Sequence, residues 1–264
     1  MPEREQLLQL LRQLPPAAWS RPTICPGWDV HDVVGHLVHD YVRRLSGTRD
    51  GHIAAWVVPG EELAQSLNRV NQEFVLVART FSARLLTDLI AHLGPQLDEL
   101  WTGLQMDSLG GAVSWVTPHV EAPVWLDVAR EYTEFWVHQQ QIRDAVGRPG
   151  ARQPELLVAV VDAFVRSLPR ALAATAAPSG TAVTMNVDVT EDVSTAWTAT
   201  RDGQGWWLDR RSNQSADAHI HLTADTLWRL ATRGLNPSAA LGRIHINGDP
   251  ALAAAALQLV SIVR

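Results

Sequence analysis

Lysine is missing from this chain altogether: all 22 basic residues are arginine. That removes Schiff-base chemistry, Walker-type phosphate loops and lysine general bases. Cysteine is almost as scarce. The single Cys25 permits no intrachain disulfide and no four-cysteine metal site, which fits a reducing, cytoplasmic setting. No apolar stretch reaches the roughly 18–20 residues needed to span a bilayer, and Met1-Pro2-Glu3-Arg4-Glu5 lacks the basic-then-apolar order of a signal peptide, so no membrane association is expected. A formal charge of -6 argues against nucleic acid as a partner. What remains is a globular composition, 46% hydrophobic over 264 residues. It is long enough for two domains of roughly 100–150 residues each.

The first half of the chain reads as helix. Leu7, Leu8, Leu10, Leu11 and Leu14 recur at helical spacing before Pro15-Pro16 ends the run. After a loop through Cys25-Pro26-Gly27-Trp28, Asp29 stands as an N-cap with Asp32 at the third helical position. The apolar stripe Val30, Val33, Val34, Leu37, Val38 and Tyr41 follows, with an end expected near Ser46-Gly47. A third helix is expected from Gly60 to Leu93, broken near Thr80-Phe81-Ser82 and stopped at Gly94-Pro95, with a further helical stretch over 95–106. Residues 107–123, with Gly110-Gly111, Pro118 and Pro123, read as an irregular connector. Trp125 to Val146 is helical and ends at Gly147-Arg148-Pro149-Gly150. Long helices and short breaks point to a four-helix bundle over 1–150.

Beyond residue 150 a helix over 154–174 leads to the small-residue linker Ala176-Ala177-Pro178-Ser179-Gly180, so 151–180 reads as helix and linker. Period-two segments follow at Val183–Val189, Ser194–Thr200, Trp206–Arg210 and Asp217–Leu222, with Asp202-Gly203 at a hairpin turn. A helix from Ala224 to Thr232, a strand from Arg243 to Asn247 and a last helix from Asp249 to Val263 make 181–264 an α+β domain.

The strongest chemical signal is Glu134-Phe135-Trp136-Val137-His138. It places a carboxylate and an imidazole at i and i+4, one turn apart on one helix face, where two side chains can share a divalent cation. A third ligand from the early helix would complete a zinc-type site with an open position, and His36 lies on the flank of that helix's apolar stripe. The competing reading of the face carrying Asp127, Arg130, Glu131, Glu134, His138 and Gln141 is a solvated surface with i,i+4 support, and His36 equally suits a half-exposed surface histidine. His119 is one of the other histidines. His219 and His221 point the same way from a strand and read as an exposed sheet face. The adjacent His31 and Asp32 could mimic a catalytic pair, but serine nucleophile motifs are absent. Cys25 reads as a small buried hydrophobe.

The run Cys25-Pro26-Gly27-Trp28-Asp29-Val30-His31-Asp32-Val33-Val34-Gly35-His36-Leu37 resembles the opening helix of the mycothiol-dependent maleylpyruvate isomerase family, whose N-terminal half is a DinB-like metal-binding four-helix bundle. Arg130 to Ile142 resembles that family's second ligand helix. The segments Asp217–Leu222, Trp228–Gly234 and Ile246–Pro250 are similar to the sterol-carrier-protein-like C-terminal domain that accompanies the bundle. The resemblance implies His36, Glu134 and His138 as metal ligands, and Arg233 as the arginine that binds the acidic substrate or thiol cofactor; on its own, Arg233 also reads as a helix-end charge. Many relatives carry an acidic residue near the position of Gln141 or Ile142, and this chain does not.

A two-histidine, one-carboxylate site holds a divalent metal, here expected to be zinc, and leaves a position for an exogenous thiol. The thiol that the resemblance implies is mycothiol, a sugar-linked cysteine derivative of actinobacteria. The expectation is therefore a metal-dependent isomerase or thiol S-transferase acting on a small electrophile, as monomer or homodimer. The alternative is a non-catalytic protein that binds a small molecule or lipid, with a structural or vestigial metal site.

Overall fold

The computed structural model describes residues 1–52, 58, 60–116 and 121–261. Its backbone divides into two compact units: Met1–Met106 with Glu134–Ala151, and Asp107–Thr133 with Arg152–Val263. Residues 107–133 therefore pack with the C-terminal part of the chain.

The first unit is helical. Helices α1 (Pro2–Arg12), α2 (Val30–Arg44), α3 (Leu63–Ala78) and α4 (Ala83–Thr102) are joined by the C-terminal turns of α5 (Val124–Val146). The α2 N-terminus is a reciprocal cap: the Asp29 side chain accepts from the Asp32 N–H, and the Asp32 carboxylate accepts from the Asp29 N–H. Asp32 also pairs with the Arg79 guanidinium at 2.8 Å, so this capping carboxylate ties the start of α2 to the end of α3. Val30, Val33, Val34, Leu37, Val38 and Tyr41 are all buried. Burial of each is worth about 1.5–3 kcal/mol. Gly35 lets α3 come close, since a Cβ there would lie 2.8 Å from the Ala78 Cβ.

Gly94-Pro95 does not stop a helix, contrary to the sequence reading; Pro95 lies inside α4, which runs on to Thr102. Tertiary packing overrides the local signal. The Arg4 side chain crosses where a Gly94 Cβ would stand and pairs with Asp98 one turn further on. The expected break near Thr80-Phe81-Ser82 is present, with the Ser82 hydroxyl accepting from the Leu85 N–H to start α4. The end expected for α2 near Ser46-Gly47 falls in a single π-helical turn, Leu45–Arg49.

The second unit contains α6 (Pro154–Val165), α7 (Leu168–Leu172), β1 (Ala182–Asp188), β2 (Ser194–Arg201), β3 (Trp206–Asp209), β4 (Ala218–Thr223), α8 (Ala224–Ala231), α9 (Pro237–Ala240), β5 (His245–Gly248) and α10 (Pro250–Ala256). The five strands run in the order β3-β2-β1-β4-β5, with β1 and β4 parallel and the other pairs antiparallel. Met185, Val187, Trp197, Ala199, Ile220 and Leu222 are buried, in register across the three central strands, and α8 and α10 pack on the sheet. The β2–β3 hairpin turns at Asp202 as expected, its carboxylate accepting from the N–H groups of Gln204 and Gly205.

Two helices are shorter than the sequence suggests. The expected 154–174 helix breaks at Arg166-Ser167, just before Pro169, which has no N–H to donate. The last helix ends at Ala256 because Ser261 instead docks on its neighbours, its N–H bonding the Ala231 carbonyl and its hydroxyl the Phe164 carbonyl. Val263 lies outside the described residues. The described part of the connector is irregular, as expected, and its Val113, Trp115 and Ala122 form an apolar knot with Leu126 of α5. Pro118 and His119 lie outside the described residues.

Candidate metal centre

Helix α2 supplies His36 and the C-terminal half of α5 supplies Glu134 and His138. These are the one group of three or more His, Cys, Asp or Glu side chains, among the described residues, whose ligand atoms converge, all within 4.8 Å of one another. The three residues expected as ligands are thus brought together. Glu134 Oε1 lies between the imidazoles, 3.2 Å from His36 Nε2 and 3.1 Å from His138 Nε2. The rings meet edge to face, with centroids 4.7 Å apart. Two donors at about 2.0–2.1 Å from a tetrahedral cation stand about 3.3–3.4 Å apart, so these separations are close to those of a shared ion.

The solvated-face reading of α5 holds only in part: Asp127, Arg130 and Glu134 are half-buried, whereas Glu131, His138 and Gln141 are buried, as are Gln139, Gln140 and Arg143 beside them. Gln139 donates to the buried Glu3 carboxylate, and Arg143 donates to the Gln139 side-chain oxygen Oε1. The polar stripe is therefore an internal network holding α5 against α1. His36 is 3% exposed, which likewise removes its surface reading. The Glu134 side chain, 42% exposed, is the most open of the three.

Gln141 decides the proton position on His138. Its Oε1 lies 2.7 Å from His138 Nδ1 and is an acceptor only, so Nδ1 carries the hydrogen. The Nε2 lone pair of neutral His138 then faces Glu134 Oε1, an arrangement that requires a positive charge between them, either a proton or a metal. Burial alone would push the His138 pKa down. Contacts with Cys25 and Glu134 outweigh it and hold His138 well above the usual imidazole range. Burial would likewise raise Glu134, but His138 and His36 hold it well below the usual carboxylate range. The residues fit a divalent cation, which would take the place of that proton.

Three further groups at the site, Cys25, Trp28 and Asp40, were not assigned to it from sequence. Gln141 Oε1 also accepts from the Cys25 thiol at 3.1 Å, so Cys25 is half-buried beside the triad and not a packed hydrophobe. The Trp28 ring lies against His36, with centroids 5.2 Å apart, and its indole N–H donates to Gln72. Asp40, one turn beyond His36, is 3% exposed and places Oδ2 3.3 Å from His36 Nε2. The i,i+4 spacing of His36 and Asp40 was the available signal.

The other histidine readings resolve as structural. His31 Nε2 donates to the Phe81 carbonyl at 3.0 Å, while Asp32 is occupied by its cap and Arg79. His221 pairs with Asp188 on an exposed sheet face at 2.7 Å.

The family model described as the mycothiol maleylpyruvate isomerase N-terminal domain matches residues 1–143. The chain belongs to this family. Two uncharacterized proteins of Mycobacterium tuberculosis are each 29% identical to it over 154 residues, 57% of this chain and 57% of each relative. The chain thus spans little more than half the length of the curated relatives it matches. A crystal structure of the mycothiol-dependent maleylpyruvate isomerase covers 88% of this chain and 86% of its own, at 11% identity and a TM-score of 0.53. At that identity the likeness is one of fold, and within it this member of the family keeps a helical N-terminal part followed by a five-stranded α+β part. No helix among its described residues is long and apolar enough to cross a membrane.

Proposed function

We propose that the chain is a metal-dependent enzyme that uses mycothiol to act on a small electrophile, as a cis-trans isomerase or a thiol S-transferase. The observation that carries this reading is the convergence of His36, Glu134 and His138 on a point that demands positive charge, in a chain of the mycothiol maleylpyruvate isomerase family. A bound divalent cation, which we take to be zinc, supplies Lewis acidity that lowers the pKa of a thiol beside it.

The chain's own residues prepare that chemistry. His36 and His138 offer ring nitrogens, and Glu134 offers a carboxylate oxygen. Gln141 holds His138 in the tautomer that turns Nε2 inward, and the buried Gln139–Arg143–Glu3 network keeps α5 from rotating. The Trp28 ring walls His36 on one side. No protein cysteine is needed as nucleophile, because the thiol comes from the cofactor. In the isomerase form, the thiolate adds to an activated double bond, the resulting single bond rotates, and elimination returns the thiol; in the transferase form, the carbon–sulfur bond is kept.

We assign Arg233 to the acidic group of the substrate or the thiol. It is an exposed cation just past α8, held at a left-handed φ of 58°. Metal analysis of the wild-type protein beside His36→Ala and His138→Ala, followed by mycothiol titration, tests the whole reading. About one metal per chain, lost in both variants and perturbed by thiol, is expected. A wild type that cannot be loaded with any divalent metal overturns it.

A further inference from the structure

We propose that the cleft between the end of α1 and the start of α4 is a second small-molecule site, which takes an apolar monocarboxylate whose head is held by Arg12. None of His36, Glu134 and His138 lines this cleft, so the inference stands apart from the metal-dependent reading.

The cleft follows from how the chain leaves α1. The Leu14 N–H bonds the Leu11 carbonyl, and Pro15 and Pro16, which have no N–H to donate, then end the helical run. A single 3₁₀ turn, Pro16–Ala18, carries the chain to Trp19, whose side chain is buried with its ring edge to face against His31. On the opposite side the Ser82 cap starts α4. Leu11, Leu14, Pro16, Trp19 and Ala83 wall an apolar cavity of about 490 Å³ between these segments. Sites for small molecules occupy about 300–1,000 Å³. Displacing water from such a wall is favourable in proportion to the apolar area covered, so the ligand's body is apolar.

The charges select its head group. Three ionisable side chains line the cavity: Arg12, Arg84 and Asp88. Arg84 Nε lies 3.6 Å from Asp88 Oδ2 and both side chains are well exposed, so these two charges offset each other at the rim. Arg12 has no ion-pair or hydrogen-bond partner among the described residues. As a cation in the last turn of α1 it complements that helix's dipole, a role that leaves its N–H donors unused. The planar fork of a guanidinium matches a carboxylate in two parallel hydrogen bonds. The first turn of α4 lies on the same wall, and its positive dipole end adds to the attraction for an anion. Thr87, the remaining polar residue of the lining, donates its hydroxyl to the Ala83 carbonyl and offers no proton to a neutral polar ligand. Because Arg12 is exposed, its pairing is worth what a surface pair is worth, about fivefold in affinity, and the apolar body supplies most of the binding at about fourfold per methylene.

The test is calorimetric titration of the full chain with octanoate, hexanoate and octanamide, for the wild type, Arg12→Gln, Ala83→Phe and His36→Ala, with circular dichroism to confirm folding. Wild type should bind one octanoate per chain, hexanoate about fifteenfold more weakly for its two missing methylenes, and octanamide about fivefold more weakly for its missing charge. Arg12→Gln should bind octanoate about fivefold more weakly than wild type and octanamide equally well. Ala83→Phe fills the cavity and should lose both ligands, whereas His36→Ala should bind octanoate as wild type does. Octanoate affinity unchanged in Arg12→Gln, or unchanged in a folded Ala83→Phe, would overturn the proposal. So would loss of octanoate in His36→Ala, which would place the carboxylate at the metal centre, or a wild type that binds no octanoate at millimolar concentration. Arg12→Gln, an exposed substitution, decides the matter if Ala83→Phe does not fold.

Discussion

Metal binding at this site should release a proton, and the structure sets how many. With Gln141 fixing the hydrogen on His138 Nδ1, Nε2 can face Glu134 Oε1 at 3.1 Å only across a proton or a metal. The metal-free protein holds the proton, since His138 lies well above its ordinary range. Loading the site must expel it. Between the ordinary imidazole value and the raised one, metal affinity should therefore climb about tenfold per pH unit, equivalent to about 1.4 kcal/mol. Calorimetric titration of the metal-free protein with zinc near pH 6.5, in two buffers of different ionisation enthalpy, reads the proton count directly. About one proton per zinc is expected. In Glu134→Gln, which removes the charge that retains the proton, the count should fall toward that of a free imidazole. A wild-type count of zero together with an affinity flat in pH would refute the assignment. Stability follows the same linkage. The raised His138 contributes stability that is full below pH 6.5 and lost as pH rises through its folded value, while the depressed Glu134 contributes stability present above pH 4.5 and lost as pH falls through its own. The metal-free protein should lose the His138 part in alkali, and the zinc form should not.

Other expectations concern single groups. Gln141→Leu leaves His138 Nδ1 and the Cys25 thiol without their acceptor and should cost about 1–3 kcal/mol of stability and about 10–100-fold in zinc affinity, read by denaturant titration and chelator competition. Burial pushes the Glu3 carboxyl up from 4.5 to about 7, so Glu3→Gln should be more stable than wild type at pH 8, by up to about 3 kcal/mol, with the gain vanishing below pH 4.5 in urea melts across that range. Gly248→Ala places a Cβ 2.1 Å from the Asp217 carbonyl oxygen at a φ of 90°, and thermal melts should register a loss of several degrees. Arg233→Gly relieves a left-handed backbone and should raise stability by about 1 kcal/mol while weakening mycothiol or substrate binding; unchanged binding would remove Arg233 from the site.

Most of the architecture was legible because it is written in local signals. The α2 stripe and its Asp29–Asp32 cap, the change to period two after residue 180, and the Asp202 turn each involve residues close together in the chain, where periodicity and capping chemistry are decisive. Glu134 and His138 were legible for the same reason, being one helical turn apart. The exceptions are long-range. Pro95 continues a helix because Arg4, distant in sequence, packs over Gly94 and pairs with Asp98. Gln139 and Arg143 of α5 are buried, although such residues suit a surface, because they find partners on α1.

The sequence by itself determined the two kinds of secondary structure, the family-like ligand types and the exclusion of lysine and disulfide chemistry. These depend on composition and on spacings of a few residues. Only the tertiary structure decided that His36 and Glu134, 98 residues apart, meet at 3.2 Å, that Gln141 orients His138, and that Glu134 lies within hydrogen-bond reach of both imidazoles. Those contacts arise where α2 and α5 meet, and the cost of burying unpaired charge, which no local pattern encodes, favours a proton or a divalent cation between them.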